Sequence, residues 1–168
     1  IVNPTAILGP IDYKPSRMGT VILLLAQRKL PGLIDAGFDW VDVRDVAQGA
    51  IAAAKSGRTG EKYLLGGRWR PFAELAQLVG RAAGVKVPRF VSPVWLSRVG
   101  IPFGALWAKV AGTQPLFTHD SITTLSTSHR DIRHDKASRE LGYSPRPLEE
   151  TVADTVRWFR EQGRLPCQ

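Results

Sequence analysis

The first eight residues, IVNPTAIL, carry no charged side chain and run into Gly9-Pro10. They read as a mostly apolar strand stopped by a glycine-proline pair. A strand with no edge-protecting charge or bulge wants neighbours on both sides, because an open apolar edge invites pairing with other chains. That requirement limits the possible folds more than any other stretch. The remaining sequence supplies few strands to meet it. We therefore expect this chain to be the later part of a larger sheet protein, with Ile1 inside it rather than at its start.

Residues 10–16 (PIDYKPS) read as a loop, and Ser16 as the cap of a helix with Met18, Val21, Ile22, Leu24 and Leu25 at its apolar positions. Pro31-Gly32 breaks that helix. Phe38-Asp39-Trp40-Val41-Asp42-Val43 reads as a strand with one apolar and one polar face. An alanine-rich helix is expected from Asp45 to about Lys55, closed by Gly57, and a short strand from Glu61 to Leu65 before Gly66-Gly67. Pro71 opens a helix with Phe72, Leu75, Ala76, Leu78 and Val79 at helical spacing, stopped by Gly84. Residues 86–117 are less regular. Val94 to Val110 reads as two short helices kinked near Pro102 and Gly104, and Asp120 to Thr127 as a helical turn. Asp135 caps a short helix to Leu141. Pro147 starts a final amphipathic helix over 148–162, with Val152, Val156 and Phe159 on its buried face. Its Glu149-Glu150 and its Arg157 and Arg160 sit at the ends that suit the helix dipole. The order of elements is α/β with a helical appendix.

The longest apolar stretch, Val94 to Val110, has only ten residues between Arg98 and Lys109. A membrane span needs about 20, so no transmembrane segment is expected. No signal or transit leader is visible, and the single Cys167 has no partner for a disulfide, which suits a cytoplasmic protein. The formal net charge of +8 is concentrated: residues 46–119 hold ten Lys/Arg against two Asp/Glu, and the remainder balances. Such a segment marks a nucleic-acid or anionic-membrane face, a wall for an anionic ligand, or a plain solvated surface. No Lys/Arg-dense helical stripe and no interleaved aromatics are present, so nucleic acid is not the expected partner.

No glycine-rich phosphate loop and no G-x-S-x-G is present, and Gly100 to Gly104 is a lone packing-type motif. His119, His129 and His134 lie among arginines or apart from other ligands, so no metal site is expected. Asp39, Asp42 and Asp45 look like a carboxylate cluster. However, Asp39 and Asp42 point to opposite faces of a strand and Asp45 reads as a helix N-cap, so all three are assigned to structure.

NPTAILGP followed by DYKPS, then FDWVDVRDVAQGAIAA, GEKYLLGG and DKASRELGYSPRPLEETVADTVRWF resemble the C-terminal half of an extended short-chain dehydrogenase/reductase. The likeness is to the NAD-dependent epimerase/dehydratase branch, nearest the dihydroflavonol 4-reductase-like proteins and the hopanoid-associated sugar epimerases. It covers about residues 1–67 and 130–162. The resemblance implies the C-terminal portion of a Rossmann-type doubly wound sheet with a mostly helical substrate-binding appendix. Residues 1–67 would supply the last strands and helices of the sheet region, 68–128 a helical substrate lid, and 129–168 the C-terminal helices.

In that family the catalytic Tyr and Lys of Y-x-x-x-K and the glycine-rich loop lie upstream, so no catalytic residue is expected in this chain. Tyr13, Tyr63 and Tyr143 are followed four places on by Arg17, Gly67 and Pro147. The cofactor would be NAD or NADP, with its site incomplete here. Pro4 would pack on the nicotinamide ring, Thr5 and the backbone near Ala6 and Ile7 would hold the carboxamide, and Ser16 would touch ribose or phosphate. Asn3, Lys14, Arg17, Phe38 and Trp40 would face a small-molecule substrate. Phe38 stands where nucleotide-sugar epimerases carry a diphosphate-gripping Arg, which favours a less charged, more apolar substrate. Trp40, Trp95, Phe103 and Trp107 suit an apolar pocket or lid and equally suit a core. The partners implied are the N-terminal half of the same protein and a second copy in a homodimer. Two other readings remain open here: a non-catalytic relative that senses redox state, and a stand-alone basic binding module.

Overall fold

The opening stretch forms two strands, β1 (Val2–Pro4) and β2 (Ala6–Leu8), which part at Thr5. The computed structural model describes residues 1–93 and 129–166. Trp95, Phe103, Trp107, His119, Cys167, the kinked stretch and the turn at 120–127 lie outside the described residues. In chain order α1 (Arg17–Ala26), β3 (Leu33–Ile34), β4 (Gly37–Asp42), α2 (Val43–Ser56), β5 (Tyr63–Leu65), β6 (Arg68–Pro71) and α3 (Phe72–Ala83) follow. Then come β7 (Val91–Ser92), α4 (Asp135–Leu141) and α5 (Leu148–Glu161).

The pairing explains the break at Thr5. β1 runs parallel to β5, and β2 runs parallel to β4 with Ala6 opposite Trp40 and Leu8 opposite Asp42. One extended segment thus changes partner midway, and Thr5 sits at the change. After β5 the chain crosses at Gly66-Gly67 and returns as β6, antiparallel to β4, with Asp39 opposite Trp69. Gly67 is required there: a Cβ on it would stand 1.8 Å from the Trp40 carbonyl oxygen. A third pair, β3 with β7, is parallel and joins Leu33 to Val91. Among the described residues β1 and β2 each have a single strand partner.

β4 is the middle strand of β2-β4-β6 and is buried on both faces, which corrects the expectation of one polar face. Its Trp40 side joins the main core with α1, α3 and α5: Val21, Ile22, Leu25, Leu75, Val79, Val152, Val156 and Phe159. Its Val41 side joins a smaller core with Tyr63, Leu65, Ala137 and Tyr143. The alternation of a strand sends Asp39 to the Val41 side and Asp42 to the Trp40 side.

Helix ends follow the local rules with one exception, apart from α4, where the expected cap Asp135 is the first helical residue and His134 before it makes no side-chain cap bond. Ser16 caps α1, its Oγ accepting from the Gly19 N–H at 3.0 Å. Gly84 and Gly142 close α3 and α4 in the left-handed region, at φ 71° and 67°. The exception is α2. Its cap is Asp42, accepting from the Arg44 N–H at 2.8 Å, so the helix begins at Val43 and Asp45 lies in its first turn.

Candidate functional site

Thr5, Asp39 and Gly67 meet where the partners change. Thr5 Oγ1 donates to Asp39 Oδ1 at 2.7 Å, and the Gly67 N–H donates to the same oxygen at 2.7 Å. The Thr5 N–H donates to the Leu65 carbonyl at 3.4 Å. A buried carboxylate is stable only when hydrogen-bonded. Here it orients the Thr5 hydroxyl in return, so that hydroxyl presents lone pairs, not its proton, to anything beside it.

The other two aspartates do different work. Arg44 binds both Asp42 oxygens, Nε to Oδ1 at 2.9 Å and Nη2 to Oδ2 at 2.7 Å, and reaches Asp154 of α5 at 2.7 Å. Burial pushes the Asp42 carboxyl up, but hydrogen bonds from Arg44 and Thr151 and the Arg44 charge outweigh it and hold it below the usual range. The same carboxylates lift the Arg44 guanidinium well above its ordinary value, led by its hydrogen bond to Asp42. Asp45, 4% exposed, takes Arg146 side-chain bonds from 2.8 Å and the Arg146 N–H at 2.8 Å. These ion pairs fasten α5 and the loop before it to β4. Burial, and then the carboxylates of Asp45, Asp39 and Asp42, push the Tyr143 phenol far above its ordinary range. It donates to the Gly66 carbonyl at 3.0 Å and is a structural donor.

At the N-terminus of α1, Asp12 accepts from the Ser16 N–H and from Ser16 Oγ, each at 2.9 Å. Lys14 and Arg17 flank this cap, exposed, with no ion pair among the described residues.

No family model matches the chain. It is 30% identical to a putative dihydroflavonol 4-reductase of Synechocystis, over all of this chain and 50% of that protein. It is 32% identical to sterol demethylase protein B of Methylococcus capsulatus, over 98% of this chain and 51% of that protein. A nucleoside-diphosphate-sugar epimerase from Pseudomonas aeruginosa superposes with a TM-score of 0.75 at 25% identity, over 99% of this chain and 49% of its own. The chain is thus similar to proteins named as a reductase, a sterol demethylase and a sugar epimerase. It spans about half the length of the curated relatives it matches. Chains at 15% identity, solved with NAD or with NADPH, share the Rossmann-type fold.

The residues singled out from sequence fall into three places. Asn3, Pro4 and Ile7 are exposed, and Thr5 and Ala6 are half-buried, along the β1–β2 segment. Phe38 is half-buried on β4 and meets Trp40 edge-on, with ring centroids 5.1 Å apart. Trp40 corrects its assignment to the substrate: it is 3% exposed, in the main core, with Nε1 donating to the Arg70 carbonyl at 3.0 Å. Ser16, Lys14 and Arg17 stand apart at α1, and no hydrogen bond among the described residues joins them to the strands. The Ser16 hydroxyl is engaged by Asp12 and Gly19. No cluster of three or more His, Cys, Asp or Glu that could hold a metal stands among the described residues. Among them, no helix is long and apolar enough to cross a membrane.

Sequence reasoning missed the second role of Asp39. Its signal was a carboxylate in the middle of a strand, next to apolar neighbours, where burial demands a donor. The donor, Thr5, is 34 residues away, and no local pattern names it.

Proposed function

We propose that this chain supplies the nicotinamide-side wall and the substrate side of an NAD(P)-dependent reductase or epimerase. The glycine-rich loop and the Tyr-Lys pair would come from an upstream part of the same polypeptide. The observation that carries this reading is the Thr5–Asp39 bond. The Asp39 carboxylate accepts the Thr5 hydroxyl's hydrogen bond, so toward a ligand that oxygen offers lone pairs, which matches the N–H donors of a nicotinamide carboxamide. Exposed Pro4 beside it offers a rigid apolar surface for a flat ring. The nicotinamide, when bound, supplies the hydride chemistry; this chain's residues fix which ring face meets the substrate. The relatives' names support a reductase or an epimerase, and Phe38 supports a less charged, more apolar hydroxy or keto substrate.

The test is cofactor binding by the full-length protein, read by nicotinamide fluorescence or calorimetry. Thr5→Ser should keep the affinity. Thr5→Val should weaken it about five- to tenfold, the worth of one hydrogen bond. Failure of the full-length protein to bind either dinucleotide would sink the reading.

A further inference from the structure

The segments around β3 and β7 carry five cations against one exposed acid, Asp35, whose N–H donates to the Ser92 carbonyl at 3.0 Å. From Leu75 to Pro93 the sequence has Arg81, Lys86 and Arg89 and no Asp or Glu; from Ala26 to Ile34 it has Arg28 and Lys29 and again no acid. The fold joins the two runs. Leu33 pairs with Val91, the Leu33 N–H donates to the Phe90 carbonyl at 2.9 Å, and a Cβ on Gly32 would stand 3.3 Å from the Phe90 ring.

Between α3 and β7 lies an open groove of about 1060 Å³ with Leu33, Val85 and Val87 on its apolar part and Arg81, Lys86 and Arg89 around it. At its end Phe90 is 63% exposed and Val91 37% exposed. None of the five cations forms an ion pair among the described residues, whereas Arg44, Arg58, Arg70, Lys136 and Arg146 all do. A large exposed aromatic beside cations with no ion pair among the described residues is tolerated in water. It is favourable where anionic headgroups overlie hydrocarbon, since the cations meet phosphate and the ring enters the acyl boundary.

We propose that this face docks the protein on an anionic lipid bilayer, with Phe90 inserted and Arg81, Lys86 and Arg89 on the headgroups. Nucleic acid is the weaker match. No aromatic residue lines the groove among the described residues, and Phe90 beside it is a single ring where base stacking calls for a series. The face uses none of the residues given to the cofactor, so nicotinamide binding should be unchanged in the variants below.

The experiment is vesicle co-sedimentation of the full-length protein. Phosphatidylcholine vesicles are compared with vesicles carrying about one-third phosphatidylglycerol, near 0.1 M salt and again several-fold higher. Binding is expected on the anionic vesicles only, and it should fall with salt. A cation over an anionic leaflet is worth about fivefold in partitioning, so Arg81→Gln/Lys86→Gln/Arg89→Gln should lose about a hundredfold. Phe90→Ser should weaken binding with the charge untouched. A control triple, Lys55→Gln/Lys62→Gln/Arg139→Gln, removes the same charge from exposed positions beside the smaller core and should lose far less. Equal loss in both triples, no preference for anionic vesicles, or competition by single-stranded oligonucleotide at matched charge would each overturn the proposal.

Discussion

Arg146→Met is the sharpest test of how the C-terminal segment is held. The side chain delivers Nε to Asp45 at 3.0 and 3.2 Å and Nη2 at 2.8 Å, and it is only 20% exposed. Its Nη1 also reaches Glu150 at 3.2 Å, but that carboxylate is half exposed, and such a leg contributes at most about 0.5 kcal/mol. Stripping one partner from a buried pair costs about 3–5 kcal/mol. Asp45 keeps one donor, the Arg146 N–H, and water can reach the rim, so we expect the low end, about 3 kcal/mol. Asp45→Asn alone leaves the guanidinium with only half-exposed Glu150 and with Asp42 at 3.7 Å, and should cost about 2 kcal/mol. The double variant should cost little more than Arg146→Met. The coupling between the two sites would then be about 2 kcal/mol. Urea unfolding of the full-length protein, followed by far-UV circular dichroism and fluorescence together, measures all three. Strictly additive losses, or less than about 1 kcal/mol for Arg146→Met, would refute the claim that this pair ties the loop before α5 to α2.

Three further outcomes follow from the same geometry. Asp42 has its folded pKa lowered, so its contribution is fully present above the unfolded value of about 3.9 and is lost as pH falls through the folded value. Asp42→Asn should therefore flatten the acid limb of the stability curve below about pH 4, and an unchanged limb would contradict this. Gly67→Ala places a methyl 1.8 Å from a backbone oxygen, so the β5–β6 crossing must move; limited proteolysis should find this variant cut near it, and a native-like pattern would argue otherwise. Phe159→Ala empties a fully buried site between α5 and the main core and should cost about 3–5 kcal/mol in the same urea assay; a cost below about 1 kcal/mol would place Phe159 outside the core.

Much of the helical part was legible because caps and stops are local. Ser16, Gly84 and Gly142 act within one turn of the helix they bound, and Val152, Val156 and Phe159 repeat at the spacing that faces a core. The short strands were not legible. β3 and β7 have two residues each, too few to show a period, and β6 reads RWRP, whose arginines and proline suggest a loop. The break at Thr5 is invisible in sequence because both halves are extended and only the partner changes. The cap of α2 was misread for a related reason: Asp42 and Asp45 are both good caps, and only the end of pairing with β2 decides between them. Pro4 and Thr5 were singled out only through the resemblance, and their role stays a proposal. The removal of Trp40 to the core came only with its bond to Arg70 across β6.

The three aspartates around β4 show why a carboxylate cluster in sequence is ambiguous. Each is buried, and each must be met by donors that the surrounding apolar strand cannot provide. The donors come from far along the chain: Thr5 and Gly67 for Asp39, Arg146 for Asp45, and Asp154 as the outer anchor of the Arg44 that holds Asp42. Desolvation therefore turns three local costs into three long-range constraints. On the Val41 side the constraint fixes the rotamer of an exposed-strand hydroxyl. On the Trp40 side and in the first turn of α2 it fixes α5 and the loop before it. Were α5 and that loop removed, Asp45 would lose its Arg146 donors and Arg44 its outer partner, while Thr5 and Asp39 would keep theirs. The strand thus separates two duties: the orientation of the Thr5 hydroxyl on one side, and the docking of α5 and the loop before it on the other.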